Sequence, residues 1–188
     1  SPWKKSYINT NIPLSFQQSP NTVYQVIDSI YTWEWDTIAS GWVFYNKSVE
    51  HVFDSKNNLL NEVIKHHDGN TWVNQDHYSY TYDAANNPVA TVIDAWDGSA
   101  WANSTKESMV YDSNNNRTSE ASLSWNGSAW ENSAQYFFTY NATNKTTEEW
   151  RQQGNGTTWE NDFKHFLTYD ANDNILTDGR QVWDKPTS

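Results

Sequence analysis

The chain has 188 residues with 12 Trp, 11 Tyr, 7 Phe and 23 Asn, no Cys, and a net charge of −11. That length suits one domain with a real core, and so many rings argue against disorder. The lack of Cys excludes disulfides and thiolate metal sites, the acidity argues against nucleic-acid binding, and no stretch approaches the roughly 20 apolar residues of a membrane helix. No signal peptide is visible, which fits a mature form, a fragment or a cytosolic protein.

Residues 1–21 carry Pro2, Pro13 and Pro20 and read as a linker or an edge-covering arm. Residues 22–188 read as one repeat domain. A weak copy of the repeat runs from Trp35 to Phe53. After it, Trp72, Trp101, Trp130 and Trp159 recur with a constant period of 29. Asn74, Asn103, Asn132 and Asn161 follow each Trp by two, and Gly69, Gly98, Gly127 and Gly156 precede it by three. Phe53, Tyr82, Tyr111, Tyr140 and Tyr169 complete the register. A fixed period of this kind is the mark of a repeat architecture.

Each repeat reads as two strands and two turns. In one copy Trp101 to Tyr111 is a strand and Arg117 to Trp125 the next, with no helical period anywhere. The class is all-β, an antiparallel meander of β-hairpin repeats with about eleven strands. One turn centres on Gly followed by a small polar residue, as in Gly98-Ser99. This suits a two-residue type II′ hairpin and sets Trp96 opposite Trp101 and Trp125 opposite Trp130. The other turn places Asn57, Asn86, Asn115, Asn144 and Asp173 at one equivalent position. Asn and Asp tolerate the left-handed conformation that a three-residue bulged loop needs there.

Simple alternation puts Trp130, Asn132, Ala134, Tyr136, Phe138 and Tyr140 on one aromatic face, and Glu131, Ser133, Gln135, Phe137 and Thr139 on a polar one. A sheet with one such face and no helix to cover it is expected to be an open, twisted or spiral sheet; the alternative is a closed up-and-down β-barrel.

The segment Tyr169-Asp170-Ala171-Asn172-Asp173-Asn174 resembles the YD repeat of Rhs-type and teneurin-type shells, Tyr-Asp-x-x-Gly-Asn before a strand. Tyr82-Asp83, Tyr111-Asp112 and Phe53-Asp54 match its start, and Asn87, Asn116 and Asn174 its end. The chain departs from that pattern with Asn or Asp in place of Gly, a longer period and an added Gly-x-x-Trp turn. In these respects it is similar to the Trp- and Asn-rich repeats of type IX-secreted surface proteins of gliding Bacteroidetes. The resemblance spans about residues 22–184. It implies a secreted or cell-surface protein with no catalytic site. The two unpaired edges of such a meander, and a repeat that stops after Trp183, lead to the expectation of further repeats in a longer chain or of a docked partner, such as a secretion or outer-membrane protein. Asp28-Ser29-Ile30 and Asp36-Thr37-Ile38 resemble the O-glycosylation triplet of that group, with Ser29 and Thr37 as acceptors.

Trp beside Asn is the strongest binding signal. A sugar's apolar face stacks on a ring while amides bond its hydroxyls. The residues are Trp96, Trp101, Asn103, Trp125, Trp130, Asn132, Trp159 and Asn161, with Asp94 expected opposite Asn103, Gln152 opposite Asn161 and Lys65 opposite Asn74. The competing reading is that each Trp pair packs its own hairpin. The acidic turns at Asp112 and Asp170 have oxygens at alternate positions, but a twelfth-position Glu is missing, so calcium is not expected. No catalytic constellation and no cofactor motif is present. His51, His66, His67, His77 and His165 lack ligand spacing, and His165 is expected on the aromatic face. The expected function is a non-enzymatic adhesion or recognition module with a glycan ligand. The alternative is a purely structural repeat in a stalk or shell.

Overall fold

The computed structural model describes residues 5–8 (backbone only), 29–36, 38 and 40–183. Twelve strands are present: β1 Lys5–Ile8, β2 Ile30–Asp36, β3 Gly41–Phe53, β4 Leu59–His67, β5 Trp72–Tyr82, β6 Pro88–Trp96, β7 Trp101–Tyr111, β8 Arg117–Trp125, β9 Trp130–Tyr140, β10 Thr146–Gly156, β11 Trp159–Tyr169 and β12 Ile175–Val182. They form one antiparallel sheet whose strand order is the chain order. The sheet is open, with β1 and β12 as its two ends, so the barrel alternative does not form. Within the expected arm, β1 pairs with β2 along the edge; the rest of 1–21 and the acceptor Thr37 lie outside the described residues. The chain divides into two compact units, Ser1–Ser79 with Ile93–Ala102, and Tyr80–Val92 with Asn103–Ser188.

The Asp turns form as their residues dictate. Asn57, Asn86, Asn115, Asn144 and Asp173 all have φ between 60° and 69°. In each, a backbone bond such as Asn115 N–H to Asp112 O (3.1 Å) makes the tight turn, and Asp112 N–H to Asn116 O (2.9 Å) closes the hairpin. The Asp carboxylate is a second clamp. Oδ1 of Asp112 accepts from Asn114 N–H and Asn116 N–H, and Oδ2 from the Asn116 side chain. These donors hold the Asp112 carboxyl below its ordinary value, the Asn116 side chain contributing most; Asp54 and Asp170 are lowered in the same way by Asn58 and Asn174.

Successive turns are also bonded to one another in the second unit. The Asn87 side chain donates to Asn115 Oδ1 and Asn116 to Asn144 Oδ1, both at 2.9 Å, and the Thr143 hydroxyl to Asp173 Oδ1 at 2.8 Å. Tyr140 and Tyr169 add hydroxyl bonds to the carbonyls of Arg117 and Thr146, both 2.7 Å.

The face assignment from simple alternation does not hold. Leu123 pairs with Asn132 but Ser122 with Ala134, so Ser133 is an extra, unpaired residue in β9. Gln75 in β5 and Asp162 in β11 are extra in the same sense, two periods before that position and one period after it. One such bulge shifts the two-residue period and moves every later side chain to the other face. Trp130 and Asn132 therefore share a face with Gln135, Phe137 and Thr139, while Tyr136, Phe138 and Tyr140 lie behind. Rings end up on both faces, and His165 sits behind, bonded to Asp178 at 2.5 Å.

For the same reason the expected core is absent. Among the described residues Val63 is the buried hydrophobic one, and no large side chain is fully enclosed. The rings instead pack against neighbouring rings, as Tyr136 stacks on Phe138 at 6.4 Å and 9°.

Candidate functional site

The Gly turns lie at the other end of the hairpins. Gly69, Gly98, Gly127 and Gly156 have φ between 94° and 101°, as the sequence requires. The turn differs from the expected type II′ in how it closes. Asp97 N–H bonds Ala100 O at 3.0 Å, but the Ala100 and Ser99 N–H groups both go to the Asp97 side chain. Asn126 does the same for Ser128 and Ala129, and Asp68 for Asn70 and Thr71. These amides hold the Asp68 and Asp97 carboxyls below their ordinary value, with the Thr71 and Ala100 N–H groups foremost.

The strand ends beside these turns carry the aromatic pairs. In the first unit Trp96 and Trp101 meet at 5.1 Å and 69°, His67 and Trp72 at 4.9 Å and 72°, and Trp35 and Trp42 at 5.7 Å and 79°. In the second unit Trp125 and Trp130 stand directly opposite and meet at 5.2 Å and 61°. Trp159 breaks the pattern, because Gly154 lies opposite it and no ring does. The last copy thus presents one Trp where the others present a pair.

Trp96, Trp101, Trp125, Trp130 and Trp159 are each half-buried. Asn103 is exposed, and Asn132 and Asn161 are half-buried. Asn161 faces Gln152 and accepts from its amide at 2.8 Å, and Gln152 is bonded in turn to the Gln135 amide. Asn74 stands opposite Lys65, and Asn132 opposite Leu123. Of the expected polar partners of the Trp, Gln152 and Lys65 are in place. Asp94 lies 3.6 Å from His77. Ser29 is only 2% exposed, so its hydroxyl is enclosed in this fold rather than presented to solvent.

Two features escape a reading by composition. In the first unit Tyr31, Trp33, Phe44, His67 and Trp72 form one aromatic cluster with ring centroids 4.9–6.0 Å apart. Phe44 is 42% exposed, and Trp35 and Trp42, next along the same two strands, are 41% and 39% exposed. The alternation Trp33/Trp35 and Trp42/Phe44 on facing strands was the signal for it. The second feature is a set of basic residues on the Trp faces. Lys106 on β7 lies 4.6 Å over the Trp130 ring, and Lys47 on β3 4.9 Å over the Trp72 ring. His77 on β5 lies 5.7 Å from Trp101. His77, Lys106, Gln135 and Lys164 recur with the period of the Trp, each two places beyond the bulge position. The local geometry repeats: Lys47, Lys65 and Asn74 stand side by side across three strands, as do Lys106, Leu123 and Asn132.

No family model and no curated protein matches the chain. Among solved structures it is similar to a protein of unknown function from Bacteroides fragilis, with TM-score 0.47 and 12% identity over 72% of this chain and 91% of that one. It is also similar to a DUF3836 family protein from Bacteroides vulgatus, with TM-score 0.35 and 17% identity over 57% of this chain and 98% of that one.

Proposed function

We propose that the protein is a non-enzymatic recognition module of an exported, cell-surface adhesin, and that it binds glycans on the Trp faces beside its Gly turns. The observation that carries this reading is the placement of partly accessible Trp beside amides on one face of the strand ends, as Trp159 stands with Asn161 and Gln152. Aromatic surface with a few placed polar groups is what a sugar site needs: rings supply area and amides supply direction. The resemblance of the Asp turns to YD repeats, and of the Trp turns to type IX-secreted surface repeats, supports export and a surface location.

The test is a glycan array probed with the intact chain and with Trp101→Ala and Trp130→Ala combined. Binding to at least one glycan class that the double variant loses supports the reading; an array with no signal overturns it. A second reading has its own support. The turn-to-turn hydrogen bonds from Asn87, Asn116 and Thr143 tie repeat to repeat with no need of a ligand. A stalk or shell would use the sheet in that way, as stacked repeats do.

A further inference from the structure

We infer that the glycan taken by the Trp faces is an acidic one, a polymer whose sugars carry carboxylates. This rests on the glycan reading above and narrows its ligand class. The first ground is the placement of charge. The chain carries −11 overall, yet Lys47 and Lys65 share the Trp face of the first unit, and Lys106 and Lys164 that of the second. Many of the strand carboxylates point the other way, among them Glu62 and Asp76 in the first unit and Glu107, Glu120 and Glu149 in the second. The carboxylates that do reach the lysines, Glu50 and Glu148, are matched by Lys65 at 3.3 Å and Lys164 at 2.7 Å. Lys47 and Lys106 have no carboxylate partner among the described residues and rest on rings instead.

The second ground is what covers the rings. Tyr31, Phe44 and His67 meet Trp72 edge-on, at 64–72°, and Trp125 meets Trp130 at 61°. An ammonium group lies over each of these two Trp, Lys47 over Trp72 and Lys106 over Trp130. A sugar that stacks there must displace it, and the displaced ammonium loses its attraction to the ring. A neutral sugar offers nothing in return. A uronate offers a carboxylate within reach of the same flexible stem, so the ammonium exchanges a weak partner for a strong one.

The third ground is spacing. Trp42 and Trp72 lie on alternate strands of one unit, as do Trp130 and Trp159 of the other. Alternate strands are about 10 Å apart, close to the length of two sugar rings in an extended chain. The register also offsets successive Trp along the strands, Trp159 standing level with Gly154 where Asn132 stands level with Gly156, so one polymer meets both on a path oblique to the strands.

The experiment is titration of the full chain, followed by Trp fluorescence and calorimetry, with polygalacturonate, alginate, the neutral oligomer cellohexaose and an oligothymidylate. We expect the polyuronates to bind at least about tenfold more tightly than the neutral oligomer at low salt, with the gap closing as salt rises. Lys47→Gln with Lys106→Gln should close most of that gap from both sides, weakening polyuronate binding and strengthening neutral binding, which no longer has an ammonium to displace. Trp72→Ala with Trp130→Ala should abolish binding of both. Equal binding of neutral and acidic chains, or a gap that survives the Lys variants, overturns the inference and leaves the glycan reading standing. Preference for oligothymidylate overturns it in favour of a phosphate polymer. Binding of none of the four overturns both. Far-ultraviolet circular dichroism of each variant separates lost binding from lost fold.

Discussion

The two ends of the hairpins solve the same problem, reversing the chain, in opposite ways. At the Asp end the turns of the second unit are tied to one another by side-chain bonds from Asn87, Asn116 and Thr143. At the Gly end each turn is clamped by its own Asp or Asn, and the strands beside it display rings and lysines. One end holds repeat to repeat, and the other is left available. A single-layer sheet can thus separate cohesion from display along the length of its strands rather than between a core and a surface.

The sharpest way to break this contrast is at a glycine. A Cβ at Gly154 would stand 2.2 Å from the Asn132 carbonyl oxygen, whereas one at Gly127 meets nothing within 4 Å. Gly154→Ala should therefore cost about 3 kcal/mol or more, since backbone must move. Gly127→Ala should cost about 1–2 kcal/mol, the strain of a left-handed residue alone. Urea unfolding of the two variants checks the order, and equal midpoints contradict it.

At the Asp end the corresponding residue is Asn115, with φ 63° and an oxygen that accepts from Asn87. Asn115→Ala should cost about 1–2 kcal/mol, from backbone strain plus the lost bond. Asn115→Gly keeps the conformation and should cost about 0.5–1 kcal/mol. If the glycine variant is as damaging as the alanine one, the inter-turn bond outweighs the turn itself.

Acid should act unequally. The turn carboxylates Asp54, Asp68, Asp97, Asp112 and Asp170 are held below their ordinary 3.8. Their contribution is complete above 3.8 and is lost as pH falls below it. Glu107 runs the other way. Burial, and then Glu120 beside it, raise its carboxyl above 4.5, so its charge opposes folding as pH rises through that region. Glu107→Gln should stabilise the fold by about 0.5 kcal/mol at pH 7, with the gain fading below pH 4.5. Asp112→Asn should destabilise the fold at pH 7 and lose that effect below pH 3.8, because it keeps the two backbone contacts that Asn141 makes in its own turn but loses the acceptor for the Asn116 side chain. Thermal melts from pH 3 to 7 test both.

The smallest expected effect is at the display end. Trp125→Leu removes an edge-on ring contact and should cost less than about 1 kcal/mol. A larger loss would show that the Trp pairs hold the sheet together, and would weigh toward the structural reading.

The strands, both turn positions and the opposition of Trp125 and Trp130 were legible because each rests on a local rule: a turn residue, a period or a left-handed Asn. The face assignment was not legible. It depends on unpaired residues, at Gln75, Ser133 and Asp162 and again at Leu60, Thr118, Thr147 and Leu176, which local patterning does not mark. The Lys row over the Trp was hidden for the same reason. Lys106 and Trp130 are brought to one face by register across three strands, which local patterning does not encode.

The bulge also bears on how such a chain can change in length. The period of the Trp series is odd, and the two unpaired residues of a repeat together with its two turns return every Trp to its face. Recombination that adds or removes a whole repeat keeps the display surface in phase. An insertion or loss of one strand residue elsewhere turns the rings of that strand away from their row. The unit of variation is therefore the whole hairpin pair, and sequence drift within it is tolerated far better than any change in its size.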